Sequence, residues 1–210
     1  MKYIAMDFEI GNALYISACS IGLSYYEDDK LLRTETYLIR PPASVGKFHW
    51  YNVKLHGIKQ KMLQTEPTFD EIWGKIASDF ENSILICHNA VFDTAVLKAC
   101  LDFYGLAIPN CEYVCTVQIS QKVWPDMVNH KLDTVANDLG IPLCHHEAGS
   151  DAFACGEILQ AALRVTGCAD VISLAKQLKI PVGKLSQAGV RRKEKNENKA
   201  AKRHEKRHTT

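Results

Sequence analysis

Asp7 and Glu9 stand two residues apart in Lys2 to Glu9, a segment in which Ile4, Met6, Phe8 and the following Ile10 are all apolar. Period-two alternation marks a strand, and residues two apart on a strand leave the same face. Two neighbouring carboxylates on an otherwise apolar strand are costly, because desolvation and mutual repulsion both oppose ionisation. A cation between them offsets both. Asp93 and Asp151 each fall in the first turn of an expected helix. The face of Asp93 continues through Val96, Leu97, Cys100 and Tyr104, and that of Asp151 through Ala154, Cys155, Ile158 and Ala162, so both acids point along apolar stripes toward a sheet. Two inward first-turn acids and two acids on one strand face make an all-oxygen donor set of the kind hard divalent cations take. His146, five residues before Asp151, carries an imidazole whose ordinary pKa suits it to accept a proton from water. By spacing, His145 serves as well.

These side chains need a sheet and helices to hold them. Ile16 to Tyr25 and Leu31 to Ile39 read as two further strands, joined by the turn-forming Glu27-Asp28-Asp29-Lys30. A three-stranded antiparallel meander follows, ended by Pro41-Pro42, and the stretch to Gln64 shows no periodicity. Thr68 and Glu71 form a capping box ahead of Phe69, Ile72, Trp73, Ile76 and Phe80 at helical spacing. Ser83 to Cys87 has the continuous apolar run of a strand buried on both faces, and Tyr113 to Val117 reads as a fifth strand. Helices are expected from about Ala90 to Tyr104, over Leu132 to Leu139, from near Ser150, and over Val171 to Leu178. Antiparallel strands followed by alternating helices and strands predict a mixed sheet covered by helices, an α/β layered fold.

The chain has 210 residues, 47% hydrophobic and 23% charged, which excludes wholesale disorder, collagen and coiled coil. Ile10 to Tyr26, the longest stretch without Asp, Glu, Lys or Arg, is shorter and more polar than a membrane span of ~20 residues. Asp7 and Glu9 interrupt the place of a signal-peptide core. The expectation is a soluble, cytoplasmic protein with no membrane partner, and with its eight cysteines reduced. The net charge of +1 conceals a division: residues 190–210 carry a local +6, and residues 1–189 about −5. With a single large apolar residue, Val190, that tail is expected to be disordered and available to hold a phosphate backbone electrostatically.

Asp7-Phe8-Glu9-Ile10-Gly11, His88-Asn89-Ala90-Val91-Phe92-Asp93 and His146-Glu147-Ala148-Gly149-Ser150-Asp151-Ala152 resemble, in order, the three exonuclease motifs of the DEDDh family of 3′ to 5′ exonucleases. That family includes the proofreading epsilon subunit of bacterial replicative DNA polymerase, ribonuclease T and oligoribonuclease. Arg40-Pro41-Pro42, Leu55-His56-Gly57-Ile58, Pro67-Thr68-Phe69 and Leu139-Gly140-Ile141 resemble an epsilon-like bacterial subgroup. Three motifs in order on the expected strand and helix starts are a specific signal.

The resemblance implies an RNase H-like fold, a mixed five-stranded sheet with helices on both faces. The resemblance extends over residues 1 to about 166 and implies an exonuclease domain over 1–167; the helix pattern and charge division add a short C-terminal helix and linker over 168–189 and the basic tail over 190–210. It further implies that Asp7, Glu9, Asp93 and Asp151 hold two Mg²⁺ or Mn²⁺ ions, with His146, the histidine at the family's spacing, as general base. Phe8, Ile10, Gly11, His56, Ile58, Asn89 and Phe92 are the implied substrate contacts. Ile10 departs from the Thr of many relatives, which leaves the Ile10 and Gly11 amides to serve there. The implied partners are nucleic acid, single-stranded DNA before RNA, and replication or repair proteins. Trp50 and Tyr51 offer rings for base stacking. A competing zinc-site reading of Cys111, Cys115, Cys144, His145 and His146 has spacing too loose to favour it.

Overall fold

The computed structural model describes residues 2–185, so the expected tail over residues 190–210 lies outside the described residues. Six strands form one sheet: β1 (Lys2–Ile10), β2 (Ala18–Glu27), β3 (Lys30–Leu38), β4 (Ile84–Cys87), β5 (Cys111–Cys115) and β6 (Gly183–Leu185), in the order β3-β2-β1-β4-β5-β6. The first three are the expected antiparallel meander, β4 and β5 run parallel to β1, and β6 closes the far edge antiparallel to β5. The expected five strands are therefore six.

Alternation along β1 sorts its side chains between two cores. Ile4, Met6 and Phe8 join a cluster with Phe69, Ile72, Trp73, Ile76 and Phe80 of α2 (Phe69–Phe80) and Val96, Leu97 and Cys100 of α3 (Ala90–Phe103). Tyr3 and Ala5 join a second cluster on the opposite face. It includes Ile119 of α4 (Thr116–Val123), Val135 of α5 (Leu132–Asp138), Cys155 and Ile158 of α6 (Ala148–Thr166), and Leu174 of α7 (Val171–Leu178). Trp73, at 5% exposure, is a core residue.

Three elements were not anticipated. The helix α1 (Trp50–His56) has no buried residue and hence no apolar stripe to read; His49 Nδ1 caps its start and Gly57, at φ 74°, ends it. Strand β5 stops at Cys115, two residues before the expected Val117, because Thr116 opens α4. β-Branched Thr116, Val117 and Ile119 bias that segment toward strand, and packing of Ile119 in the second core overrides the bias. Strand β6 has three residues and owes its existence to pairing with Cys111 to Tyr113. It lies within residues 168–189, where Val171, Leu174, Ala175 and Leu185 are buried in the two cores. Among the described residues no single helix is long and apolar enough to cross a membrane.

Strands β1 and β4 are parallel neighbours, and from them the chain builds outward in opposite directions. A point where the strand order reverses, beyond the carboxyl ends of parallel strands, leaves a crevice between departing segments. Asp7 and Glu9 lie at that end of β1, and α3 departs from that end of β4.

Candidate active site

A cleft of about 520 Å³ opens there. Asp7 and Glu9 project from β1 on the α6 side. Asp7 is paired in register with Gly22 of β2, and a Cβ on Gly22 would collide with the Ala148 carbonyl and the Gly149 amide. A glycine within a strand marks a close backbone approach. Here it lets the start of α6 settle on the sheet beside Asp7, with Asp151 in its first turn. Gly22 was missed as a site determinant, although Gly between Ile21 and Leu23 in a strand was its visible signal.

One ligand atom from each of Asp7, Glu9 and Asp151 lies within 4.8 Å of the others. Asp93 reaches the same strand end from the opposite side of the sheet. It is 1% exposed, and its Oδ1 accepts a hydrogen bond from the Phe8 amide at 3.1 Å. Asp151 is 3% exposed; its Oδ2 accepts from the His146 amide at 3.0 Å, while its buried Oδ1 has no partner. Burial and mutual repulsion set the acidity. Burial pushes Glu9 to about 8 and Asp93 to about 8, with Asp151 repelling both. It pushes Asp151 to about 7, and Asp7 is raised well above its usual range by burial and then by Asp93 and Asp151. An orphaned buried carboxylate oxygen and four acids that suppress one another's ionisation fit divalent cations.

His146 lies on the loop into α6 at φ 70°, a left-handed backbone that β-carbon-bearing residues adopt at a cost. The bond from its amide to Asp151 holds it there. Its Nδ1 is 3.8 Å from Glu9 Oε1, and its ring stacks on His145 with centroids 3.9 Å apart. Partial burial and His145 lower its pKa from 6.5, which favours the uncharged imidazole. Glu147 caps α6 by accepting from the Gly149 and Ser150 amides at 3.2 and 2.7 Å.

Among the expected substrate contacts, Phe8, Ile10, Asn89 and Phe92 line the cleft. Asn89 takes φ 74° at the start of α3, a conformation asparagine tolerates. Phe8 places its ring in the core at 2% exposure and serves the site through its amide. The Gly11 amide is engaged by Ser17 O at 2.9 Å, and its α-carbon is covered by the Phe48 ring. His56 and Ile58 stand outside the cleft lining and form a turn in which Ile58 N donates to His56 Nδ1 at 3.0 Å. Asn52 and Leu55 of α1 line the cleft instead, with Asn52 Nδ2 donating to Ile10 O at 2.8 Å. Trp50 and Tyr51 are 68% and 51% exposed. Also missed were His88, His130, Lys131 and Leu132 along the cleft. Among the described residues no metal-ligand cluster includes a cysteine.

Without metal, the four carboxylates tie stability to pH. Each has a folded pKa above its unfolded value, so its contribution is complete below pH ~4 and is lost as pH rises through the folded value. His88, held near 4 by burial, works in the opposite direction, but only below pH ~6.5. Thermal melts in EDTA are therefore expected to lose stability between pH 6.5 and 8.5, on the order of 2 kcal/mol from each of Glu9 and Asp93 and less from Asp151, and Mn²⁺ should restore more at pH 8.5 than at 6.5. A flat EDTA profile over that window would contradict the raised pKa values. Gly22→Ala should cost ~1–3 kcal/mol through overpacking and shrink the Mn²⁺-induced rise in Tm by displacing Asp151. An unchanged metal response would separate Gly22 from the site.

Acids from both sides of a mixed sheet gather where two parallel strands end beside a histidine, an all-oxygen donor set suited to divalent cations. The chain matches the model described as "Exonuclease" over residues 41–159, more than half its length, and it belongs to that family. It is 32% identical over 167 residues to the PolC-type DNA polymerase III of Clostridium perfringens, covering 78% of this chain but 11% of the polymerase. The fold is that of exonuclease X in complex with 5′-overhanging duplex DNA (TM-score 0.67, 18% identity, 84% of this chain and 99% of that one). It is also that of a 3′-exonuclease that recognises the 3′ end of the histone mRNA stem-loop (TM-score 0.67, 12% identity, 89% and 91%). The domain is a 3′ to 5′ exonuclease domain of the DEDDh type, a type that uses divalent metal ions.

Proposed function

We propose that this chain removes nucleotides one at a time from the 3′ end of single-stranded DNA or a frayed 3′ terminus, releasing nucleoside 5′-monophosphates. The convergence of Asp7, Glu9 and Asp151 within 4.8 Å carries this reading, with Asp93 behind them. These four carboxylates would hold two ions, Mg²⁺ or Mn²⁺. Such ions supply Lewis-acid stabilisation to the attacking and leaving oxygens of an in-line phosphoryl displacement.

The chain's own residues do the rest. His146, neutral and directed toward Glu9, takes the proton of the attacking water. Asp151 orients it through the bond from the His146 amide. Ile10, Leu55 and Phe92 exclude water from the terminal nucleoside, and Asn89 offers it a polar contact. His56 and Ile58 hold the turn that follows α1, and Gly11 anchors the end of β1 against Phe48.

DNA is preferred to RNA on the strength of the polymerase relative; replication or repair proteins are the proposed partners. A cytoplasmic setting suits the eight free cysteines. End-labelled single- and double-stranded DNA and RNA incubated with Mg²⁺ or Mn²⁺ test the reading. The expected result is stepwise shortening from the 3′ end with 5′-phosphorylated mononucleotides, fastest on single-stranded DNA. Faster RNA trimming would reassign the substrate, and no cleavage in either metal would sink the proposal.

A further inference from the structure

The floor of the cleft is acidic, yet a nucleic-acid strand brings further phosphates past the one being cleaved. Among the residues lining the cleft, Lys131 is the single lysine or arginine, and it forms no ion pair with the described residues. It ends the irregular segment between α4 and α5, a poor platform unless something fixes it. Three hydrogen bonds do so. His88 Nε2 lies 2.9 Å from His130 O, His130 Nδ1 lies 3.1 Å from Ser120 Oγ, and the Lys131 amide donates to Asn129 Oδ1 at 2.9 Å.

His88 is the centre of this arrangement. A ring nitrogen facing a carbonyl must donate, so Nε2 carries the proton and Nδ1 accepts from Thr116 Oγ1 at 2.9 Å. The imidazole thus bridges the end of β4, the start of α4 and the segment bearing Lys131. Asn89, the residue after it, opens the helix that carries Asp93. One side chain therefore ties the placement of an acidic ligand to the placement of the cleft's cation.

Resting on the exonuclease reading above, we propose that Lys131 binds an internucleotide phosphate of the single strand upstream of the scissile bond, with His88 as its positioning residue. Lys131 neutralises one phosphate and releases one counterion. His88 touches no substrate and acts by holding the His130-Lys131 backbone.

The test uses the full chain and a fluorescent single-stranded DNA 12-mer in Ca²⁺, with Kd read from 50 to 300 mM NaCl. Lys131→Ala is expected to weaken binding about five- to tenfold at 100 mM and to lower the slope of log K against log salt by ~0.7, whereas Lys131→Arg keeps the slope. His88→Ala should reproduce the same loss, His88→Gln should restore most of it, and His88→Ala with Lys131→Ala should lose no more than either alone. An unchanged slope in Lys131→Ala overturns the proposal, even if His88→Ala fails to fold. Additive losses overturn the role of His88, and absence of binding by the wild type overturns both. Normal binding without hydrolysis in Mg²⁺ or Mn²⁺ would instead defeat the exonuclease reading and leave Lys131 in place.

Discussion

Asp7→Asn is expected to abolish hydrolysis of a single-stranded 3′ end, by ~10³-fold or more, while raising the Tm of the metal-free protein at pH 8. The two effects have one cause. Asn keeps the shape of Asp but cannot ionise, so a loss of ~4 kcal/mol in stabilising the reacting phosphate accompanies removal of the cost of burying an ionisable acid. Asp7 is the acid raised by all of the others, with Asp93 and Asp151 its leading repulsive neighbours. The metal-free fold therefore disfavours ionisation of Asp7 whereas unfolding allows it, and Asn, which ionises in neither state, removes that pH-dependent penalty. The Mn²⁺-induced rise in Tm should collapse in parallel. Retention of more than a tenth of the activity, or a lower Tm in EDTA at pH 8, would show that these carboxylates do not share a cation site.

His146→Ala is expected to cost ~10²–10⁴-fold in kcat, the range for loss of a general base, while preserving most of the metal response. His146 faces Glu9 from 3.8 Å and binds Asp151 through its backbone amide, which alanine retains. Backbone strain complicates that substitution, because φ at this position is 70°. His146→Asn separates the effects, since asparagine tolerates the left-handed region better; it should match alanine in activity and exceed it in Tm. The acid limb of the pH–kcat profile, below pH 6.5 because the His146 pKa is lowered, should disappear in both variants. His145→Ala should lose far less. Equal losses at His145 and His146 would transfer the base to the neighbour.

The legible parts of the fold are those with their own periodicity. Strand β1 displayed alternation over nine residues, α2 carried a capping box realised by Glu71 Oε2 accepting from Thr68 N at 2.7 Å, and α3 and α6 carried buried stripes ahead of which Asp93 and Asp151 could be placed. Helix α1 and strand β6 had no such signal, being made respectively by end caps and by pairing with a distant strand. In α4 the local preference of Thr116, Val117 and Ile119 pointed to strand, and contact with the second core decided otherwise.

At the site, residue types and order were readable, and contacts were not. From the sequence alone follow the four carboxylates, their faces, the candidate histidines and the family whose motifs they resemble, because side-chain direction on a strand or helix is local geometry. Tertiary structure decided that Asp7, Glu9 and Asp151 meet, that Gly22 makes room for α6 to bring Asp151 down, and that the His146 amide binds Asp151. It also decided that the Gly11 amide is engaged by Ser17 and that His88 ties Lys131 to the cleft. Each depends on a contact between residues far apart in the chain or on one backbone conformation. Period and spacing define the face a side chain leaves, whereas its neighbour is set by the packing of the whole sheet.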